Sequence, residues 1–174
     1  MPALILPYRE TLPQIDPTAF VAETAVVIGD VTLGPDSGLW YGCVVRGDVN
    51  TIRIGARTNI QDGTVIHCSP EATTVVGDRC VVGHQVHLEG CVIEDDCLIG
   101  SGTVIVHHTV VGRGTLVGAQ AMVPGGLTIP PRSRVLGVPA RITEGVIEEG
   151  AFDDAVERYV AKGHRYAASL RRLA

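Results

Sequence analysis

At 174 residues the chain has the length of one domain, and a formal net charge of −5 without a basic cluster argues against a nucleic-acid partner. Aromatic residues make up 4% and glycine occurs 21 times, a composition that suits stacked aliphatic rungs better than a globular core. Five cysteines without a CxxC pair argue against a disulfide scaffold and indicate a reducing, cytoplasmic location. The apolar run 3–6 is too short for a signal peptide or a membrane span, so no membrane partner is expected.

The chain is predicted to form a single domain in three consecutive segments. Residues 1–20 carry four prolines and predict an extended arm that either caps the repeats or reaches a neighbouring subunit. Residues 21–135 carry a repeat. Residues 136–174 form a C-terminal segment, in which an apolar stripe at helical spacing predicts a helix over about 148–173, packed on the repeats.

An aliphatic residue returns every sixth position through most of the repeat region. A period of six fits neither a helix nor the alternation of a hairpin, and it indicates a hexapeptide β-helix in which each hexapeptide is one short strand plus a corner. The pattern therefore predicts an all-β parallel solenoid whose ladder side chains point into the core. The ladder consists of Leu33, Leu39, Val45, Ile54, Ile60, Ile66, Val76, Val82, Leu88, Ile93, Ile99, Ile105, Val111, Val117, Val123 and Ile129.

A second set of small residues lies four positions after the ladder residues. Cys43, Cys80 and Cys97 fall in this slot, which threonine or alanine occupies elsewhere, and they are predicted to be small core residues. Cys91 receives the same interpretation. Cys68, directly after a histidine, is left open as a candidate functional thiol.

Ladder positions place two distant polar residues next to each other. His67 follows Ile66, and Glu89 follows Leu88 three hexapeptide steps later, which is one full triangular coil. The two side chains are therefore predicted to point outward from the same face, one rung apart at about 4.8 Å. Solvated or interface side chains are as consistent with this pattern as a metal site is.

His84 is the natural third member of such a site, but it lies around a corner from the pair. It comes two positions after Val82, on the face before Glu89. If it joins His67 and Glu89, it must come from another subunit, which requires a cyclic trimer with interfacial sites. Two imidazoles and a carboxylate make a zinc set with room for a water molecule.

Three other histidines lie close to this position along the ladder. His87 immediately precedes Leu88 at a corner and is a candidate substitute for Glu89 as a ligand. His107 and His108 lie one coil beyond Leu88 and are expected near the site, one rung off it.

The motifs around these residues resemble the gamma-class carbonic anhydrase-like family, which includes bacterial hexapeptide-repeat proteins of the ferripyochelin-binding type. The resemblance covers about residues 5–145. Its most specific blocks are Arg-Gly-Asp at 46–48 and Asn-Ile-Gln-Asp-Gly at 59–63, at their spacing from His67 and His84. It implies a left-handed β-helix, a handedness that the ladder alone does not determine, and a homotrimer with metal sites between subunits.

The resemblance also implies roles for polar residues around the histidines. Arg46 and Asp48 match an ion pair that links subunits near the site. Gln61 matches a polar residue that faces metal-bound solvent. Asn59 and Asp62 match neighbours that organise this pocket.

The implied metal ligands are His67, His84 and a third position at which this chain departs from the family. The family has a histidine five residues after the second ligand, whereas this chain has Glu89. A carboxylate ligand adds negative charge, weakens the metal as a Lewis acid and widens the choice of metal from zinc to iron, cobalt or manganese. Glu71, in the loop after His67, is the nearby candidate for moving a proton.

Four functions are considered for such a chain. The expected one is a carbonate dehydratase-like lyase that hydrates carbon dioxide to bicarbonate, with Arg46, Gln61 and Asn59 orienting solvent and substrate. The second is metal-assisted hydrolysis of a small ester or thioester. The third is a metal-binding or assembly trimer without turnover, and the fourth, which the matched blocks disfavour, is a hexapeptide acyltransferase.

Overall fold

A computed structural model describes residues 3–170. These residues form a left-handed parallel β-helix followed by one C-terminal helix, as predicted. The strands are β1 (Leu4–Leu6), β2 (Gln14–Ile15), β3 (Phe20–Val21), β4 (Val26–Leu33), β5 (Gly38–Leu39), β6 (Val44–Ile54), β7 (Asn59–Ile60), β8 (Val65–His67), β9 (Thr74–Val76), β10 (Val81–Val82), β11 (His87–Glu89), β12 (Val92–Ile93), β13 (Leu98–Ile99), β14 (Val104–Ile105), β15 (Val110–Val111), β16 (Leu116–Val117), β17 (Met122–Val123), β18 (Thr128–Ile129), β19 (Arg134–Leu136) and β20 (Arg141–Thr143). The helix is α1 (Asp153–Ser169).

Each turn of the coil contributes one strand to each of three faces. The first face contains β1, the N-terminal parts of β4 and β6, and β8, β11, β14 and β17. The second contains β2, the C-terminal parts of β4 and β6, and β9, β12, β15 and β18. The third contains β3, β5, β7, β10, β13, β16, β19 and β20. These strand pairs are parallel except β19 and β20, which are antiparallel.

The interior of the coil is a single apolar core. Every residue of the predicted ladder is at most 2% exposed, and all belong to one continuous cluster. Each such side chain contributes about 1.5–3 kcal/mol by its burial. The five cysteines are free thiols buried in the same interior, Cys68 included. The thiol of Cys68 therefore belongs to the core rather than to an exposed site.

The N-terminal arm lies along the first complete coil. Leu4–Leu6 pairs with Val26–Ile28 of β4, and Gln14–Ile15 pairs with the other end of the same strand. A bridge between Tyr8 and Thr11 turns the chain between these two strands. The arm thus covers one end of the β-helix within its own chain.

The opposite end of the coil is covered by the segment after β19. Residues 141–143 turn back as β20 onto β19. Just before them, Met122 of β17 donates its backbone N–H to Gly137 at 3.1 Å and accepts one from Ala140 at 2.9 Å. The last strands of the third and first faces are therefore both paired.

The helix α1 lies on the third face, where it contacts β3, β5 and β7. It is shorter than the predicted span of about 148–173: residues 149–152 form a turn, because Gly150 has a φ of +74° that a right-handed helix does not accommodate. The predicted final turn at 171–173 lies outside the described residues. Within residues 3–170, this helix lacks the length and apolar character that a membrane span requires.

Aromatic packing and ion pairs hold α1 in place. The Trp40 ring lies 5.1 Å from the ring of Tyr166 and 5.7 Å from that of Tyr159, measured between centroids. Along the adjacent corner of the coil two arginine–carboxylate ion pairs and one histidine–carboxylate contact follow the helix axis. They are Asp36 with His164 at 2.9 Å, Arg57 with Glu157, and Arg79 with Asp153.

Candidate metal centre

The predicted stack of His67 and Glu89 is present on the first face. Strands β6, β8 and β11 pair in a register that places Arg46, His67 and Glu89 directly one above the other. Nδ1 of His67 lies 3.4 Å from Oε1 of Glu89. Both side chains point outward because Ile66 and Leu88 beside them point into the core.

The second nitrogen of His67 contacts another carboxylate. Nε2 lies 3.0 Å from Oδ1 of Asp48, whose other oxygen forms an ion pair with Arg46. Partial burial acts to raise the pKa of Asp48, but the hydrogen bonds from His67 and Arg46 outweigh it and hold that pKa below its ordinary value. Within one chain, Arg46 and Asp48 thus pair with each other and fix the orientation of the imidazole.

Both ring nitrogens of His67 therefore face carboxylate oxygens. A neutral imidazole carries only one N–H. With that proton on Nε2, toward Asp48, the lone pair of Nδ1 faces the anionic Oε1 of Glu89. Either a second proton or a cation between these two atoms removes the repulsion.

The carboxylate of Glu89 is contacted by two further histidines. Nε2 of His87 lies 3.1 Å from Oε2, and Nε2 of His107 lies 3.4 Å from Oε1. Partial burial acts to raise the pKa of Glu89, but hydrogen bonds from His87, His67 and His107, in that order, hold it below its ordinary value. His108 is exposed at the next corner and does not contact this carboxylate.

The contact of His107 with Glu89 is the feature that sequence reasoning missed. The sequence predicts that His107 lies one rung away from the site, and its backbone does lie on the coil after that of Glu89. The side chain nevertheless spans the gap to Glu89. The one-residue shortening of the ladder between Leu88 and Ile93 was the available signal, because it changes which residue lies beneath this histidine.

A second polar cluster lies on the third face and at the corner that follows it. Asn59 and Gln61 are 3% and 5% exposed, and Nε2 of Gln61 donates to Oδ1 of Asn59 at 3.0 Å. At the corner, Nδ1 of His84 lies 3.0 Å from Oδ2 of Asp62. The His84 side chain is 51% exposed.

The two clusters do not meet within one chain. His84 lies around the corner from His67 and Glu89, as its ladder position predicts. Among residues 3–170, no group of three or more histidine, cysteine or carboxylate side chains is arranged to hold a metal ion. Glu71 is exposed in the turn bridged by Ser69 and Ala72 and joins neither cluster.

The donor atoms fit a zinc-type ion. Two donors that share a tetrahedral zinc ion, each about 2.1 Å from it, lie about 3.4 Å apart. This is the separation between Nδ1 of His67 and Oε1 of Glu89. Asp48 behind His67 and Asp62 behind His84 are the carboxylate partners that metal-binding histidines commonly have.

The coil and its period define a protein of the hexapeptide-repeat β-helix class. A family model described as bacterial transferase hexapeptide (six repeats) matches residues 73–107 and 90–125. A carbonic anhydrase of Geobacillus kaustophilus is 38% identical over 167 residues, which cover 95% of this chain and 92% of that protein. The chain therefore belongs to the gamma-carbonic-anhydrase-like family.

Two other relatives differ from this one in length or in name. The mitochondrial gamma carbonic anhydrase 1 of Arabidopsis thaliana is 41% identical over 143 residues, which cover 79% of this chain and 52% of that protein. The chain thus spans about half the length of this plant relative. The crystal structure of a candidate acetyltransferase from Bacillus cereus superimposes with a TM-score of 0.92 at 38% identity, covering 95% of this chain and 98% of that one.

Proposed function

We propose that the protein is a homotrimeric metalloenzyme that hydrates carbon dioxide to bicarbonate at sites between subunits. Each site would combine His67 and Glu89 of one copy with His84 of the next. The observation that carries this proposal is the division of the candidate residues into two clusters on different sides of one chain. Each cluster holds donors whose carboxylate partners are already in place, and neither is complete alone.

The surface beside the first cluster supports association between copies. Val65, Val104 and Met122 form a column on the first face with His87 between them, and each is 36–40% exposed. Apolar side chains in a row next to incomplete polar sites are typical of an interface. In a closed ring of three, the first face of each copy meets the corner of the next that carries His84, so every site becomes complete.

A divalent ion held by these residues would supply the Lewis acidity that makes water a nucleophile at neutral pH. In the tautomer with its proton on Nε2, His67 donates a hydrogen bond to Asp48, which leaves the lone pair of Nδ1 free to bind a metal ion. Arg46, one rung away and paired with Asp48, would help to orient solvent and substrate beside the site. Gln61 and Asn59 hold each other rigid on the third face, from which they would orient solvent across the interface, and Glu71 or buffer would take up the released proton.

Zinc is the proposed metal, with iron, cobalt or manganese as alternatives, because Glu89 supplies oxygen rather than nitrogen. The same reasoning predicts modest turnover, since an anionic ligand weakens the Lewis acid. The five buried free thiols support a reducing, cytoplasmic compartment.

Metal analysis and mass measurement on one sample test the proposal. Protein purified with zinc is expected to contain about one divalent ion per chain, as an interfacial set of three ligands requires, and to have the mass of a trimer. His84→Ala should remove the metal. His164→Ala, which alters a histidine paired with Asp36 under α1, is the matched control and should retain it. A metal-free or monomeric wild-type protein would contradict the proposal and favour an assembly role without turnover.

The Glu89 position gives a second test, on the reaction itself. Glu89→His replaces an anionic ligand by a neutral imidazole, which should raise the rate of carbon dioxide hydration measured by stopped flow. An unchanged rate in metal-loaded protein would mean that Glu89 does not limit the Lewis acidity of the site.

Two other activities are alternatives on the same fold. Hydrolysis of a small ester or thioester would use the same metal and is tested with chromogenic esters on the same sample. An acyltransferase is suggested by the name of the Bacillus cereus relative. Calorimetric titration with coenzyme A distinguishes it, because a carbon dioxide hydratase is expected to give no binding heat.

A further inference from the structure

The packing around His107 is built to bring its ring over the coil beneath. An added Cβ at Gly90 would lie 2.9 Å from Cδ2 of His107, closer than such atoms approach, so the ring occupies space that only glycine leaves free. On the other side, a Cβ at Gly125 would lie 2.7 Å from the His107 carbonyl oxygen. The backbone is held as well, since that oxygen accepts the N–H of Gly126 at 2.9 Å.

The contact between His107 and Glu89 crosses from one coil to the next. His87 also contacts Glu89. These two residues are two positions apart on one strand, so the pleat alone places both side chains on its outward side. His107 instead comes from the corner after β14 and reaches down one rung to Oε1, the oxygen that faces His67. Its side chain is 45% exposed, so burial of the ring does not explain its placement.

We propose that His107 is a positioning residue that fixes the orientation of the Glu89 carboxylate for metal binding. This inference rests on the proposed function. A free glutamate side chain loses conformational entropy when it is ordered. With His87 on Oε2 and His107 on Oε1, the carboxylate is ordered before the metal arrives, so this cost is met in folding and not in binding. Removing such a supporting residue typically weakens metal affinity by about 10–100-fold.

The test is zinc affinity, measured by competition with a chromogenic chelator on the full-length protein. His107→Ala should bind zinc about 10–100-fold more weakly than wild type. His107→Gln retains a side-chain amide donor of similar reach and should recover a large part of the loss. The matched control is His108→Asn, at a neighbouring exposed histidine with a φ of +62° that asparagine tolerates. It should bind zinc as wild type does.

Two readouts separate positioning from a general loss of structure. The visible spectrum of the cobalt-loaded protein should change in His107→Ala, because the ligand field depends on how Glu89 is held, and should not change in His108→Asn. Urea unfolding of the metal-free proteins should remain cooperative in both variants.

The outcomes distinguish this inference from the function on which it rests. Wild-type zinc affinity and an unchanged cobalt spectrum in His107→Ala would overturn the positioning role and leave the proposed metal site standing. Absence of zinc binding by the wild-type protein would overturn both.

Discussion

The first and third faces of the coil send the same kind of side chain into the core, but their outward surfaces differ: the third face is covered by α1 and the first face is exposed. On the third face, Trp40 and its aromatic neighbours lie beneath α1, and ion pairs fasten the helix to the corner. On the first face, Val65, Val104 and Met122 stay exposed beside the stack of His67 and Glu89. The chain therefore covers one face with its own helix and leaves the other open, and the stack of His67 and Glu89 lies on the open face.

This difference shows that the ladder determines the core and leaves each outward surface free to take a separate role. The alternation of the strand sends ladder residues inward on every face. What the outward positions contact depends on whether another part of the chain, or another copy of it, covers them. The faces should therefore respond differently to substitution.

The largest expected effect comes from comparing Trp40→Ala with Val65→Ala. Loss of a buried tryptophan typically costs about 3–5 kcal/mol, so Trp40→Ala should lower the free energy of unfolding by that amount. Val65 is exposed in the single chain, and in the dissociated monomer Val65→Ala should change the unfolding free energy by less than about 0.5 kcal/mol. Urea unfolding at several protein concentrations checks both values. Under the proposed trimer, only the Val65→Ala effect should depend on protein concentration, and equal effects in the two variants would remove the distinction between faces.

An intermediate effect on the unfolding free energy is expected from the interior thiols. This effect should be the same whether a thiol lies near the covered third face or near the open first face. Desolvation raises the pKa of Cys43 from 9.0 to about 11 and that of Cys91, beside the open first face, to about 12. Because the folded pKa is raised, the thiol contributes stability that is complete below pH 9 and is lost as the pH rises toward the folded value. For Cys43 the loss amounts to about 1 kcal/mol at pH 10.

Cys43→Ala is the variant that isolates this contribution, since alanine occupies the equivalent slot at Ala121. Between pH 8 and pH 10 its unfolding free energy should fall less steeply than that of the wild type. Thiol labelling of folded wild-type protein at pH 8 should be slow at all five cysteines. Rapid labelling of Cys91 alone would mean that the open face admits solvent into the core.

The smallest effect is expected at the ion pairs that fasten α1 to the third face. Glu157 pairs with Arg57 and lies 3.7 Å from Arg79, but its side chain is largely exposed. Exposed pairs contribute about 0.2–1 kcal/mol, so Glu157→Gln should cost no more than this, and the cost should shrink in high salt. Glu148→Gln, at an exposed carboxylate without a described ion-pair partner, is the control. A loss that persists in high salt would mean that Glu157 acts through packing instead of charge.

The sequence was sufficient to predict the coil and the register of its most important pair. A six-residue period places the residue three hexapeptide steps after His67 on the same face one coil later, so Glu89 could be placed beside it before any coordinates existed. The separation of His84 from this pair followed from the same count. The buried slot that holds Cys43 also followed from it.

Two features could not be predicted from the six-residue period, because they depend on side-chain length and on the local backbone conformation. The contact between His107 and Glu89 requires a ring that reaches across a rung and a glycine at position 90 beneath it, neither of which a ladder count describes. The start of α1 at Asp153 follows the positive φ of Gly150, a backbone feature that the apolar stripe from Phe152 onward does not describe. The partner of His84 outside its own chain stays a prediction.

The antiparallel return of β20 onto β19 has a consequence for how these molecules aggregate. A parallel solenoid that ends on a bare strand offers a template on which further chains could add, as in a growing fibril. Here residues 137–143 occupy the terminal backbone groups of two faces, and the arm before β3 occupies those at the opposite end. These pairings disfavour growth along the coil axis on the faces that they cover, which favours lateral contact for self-association.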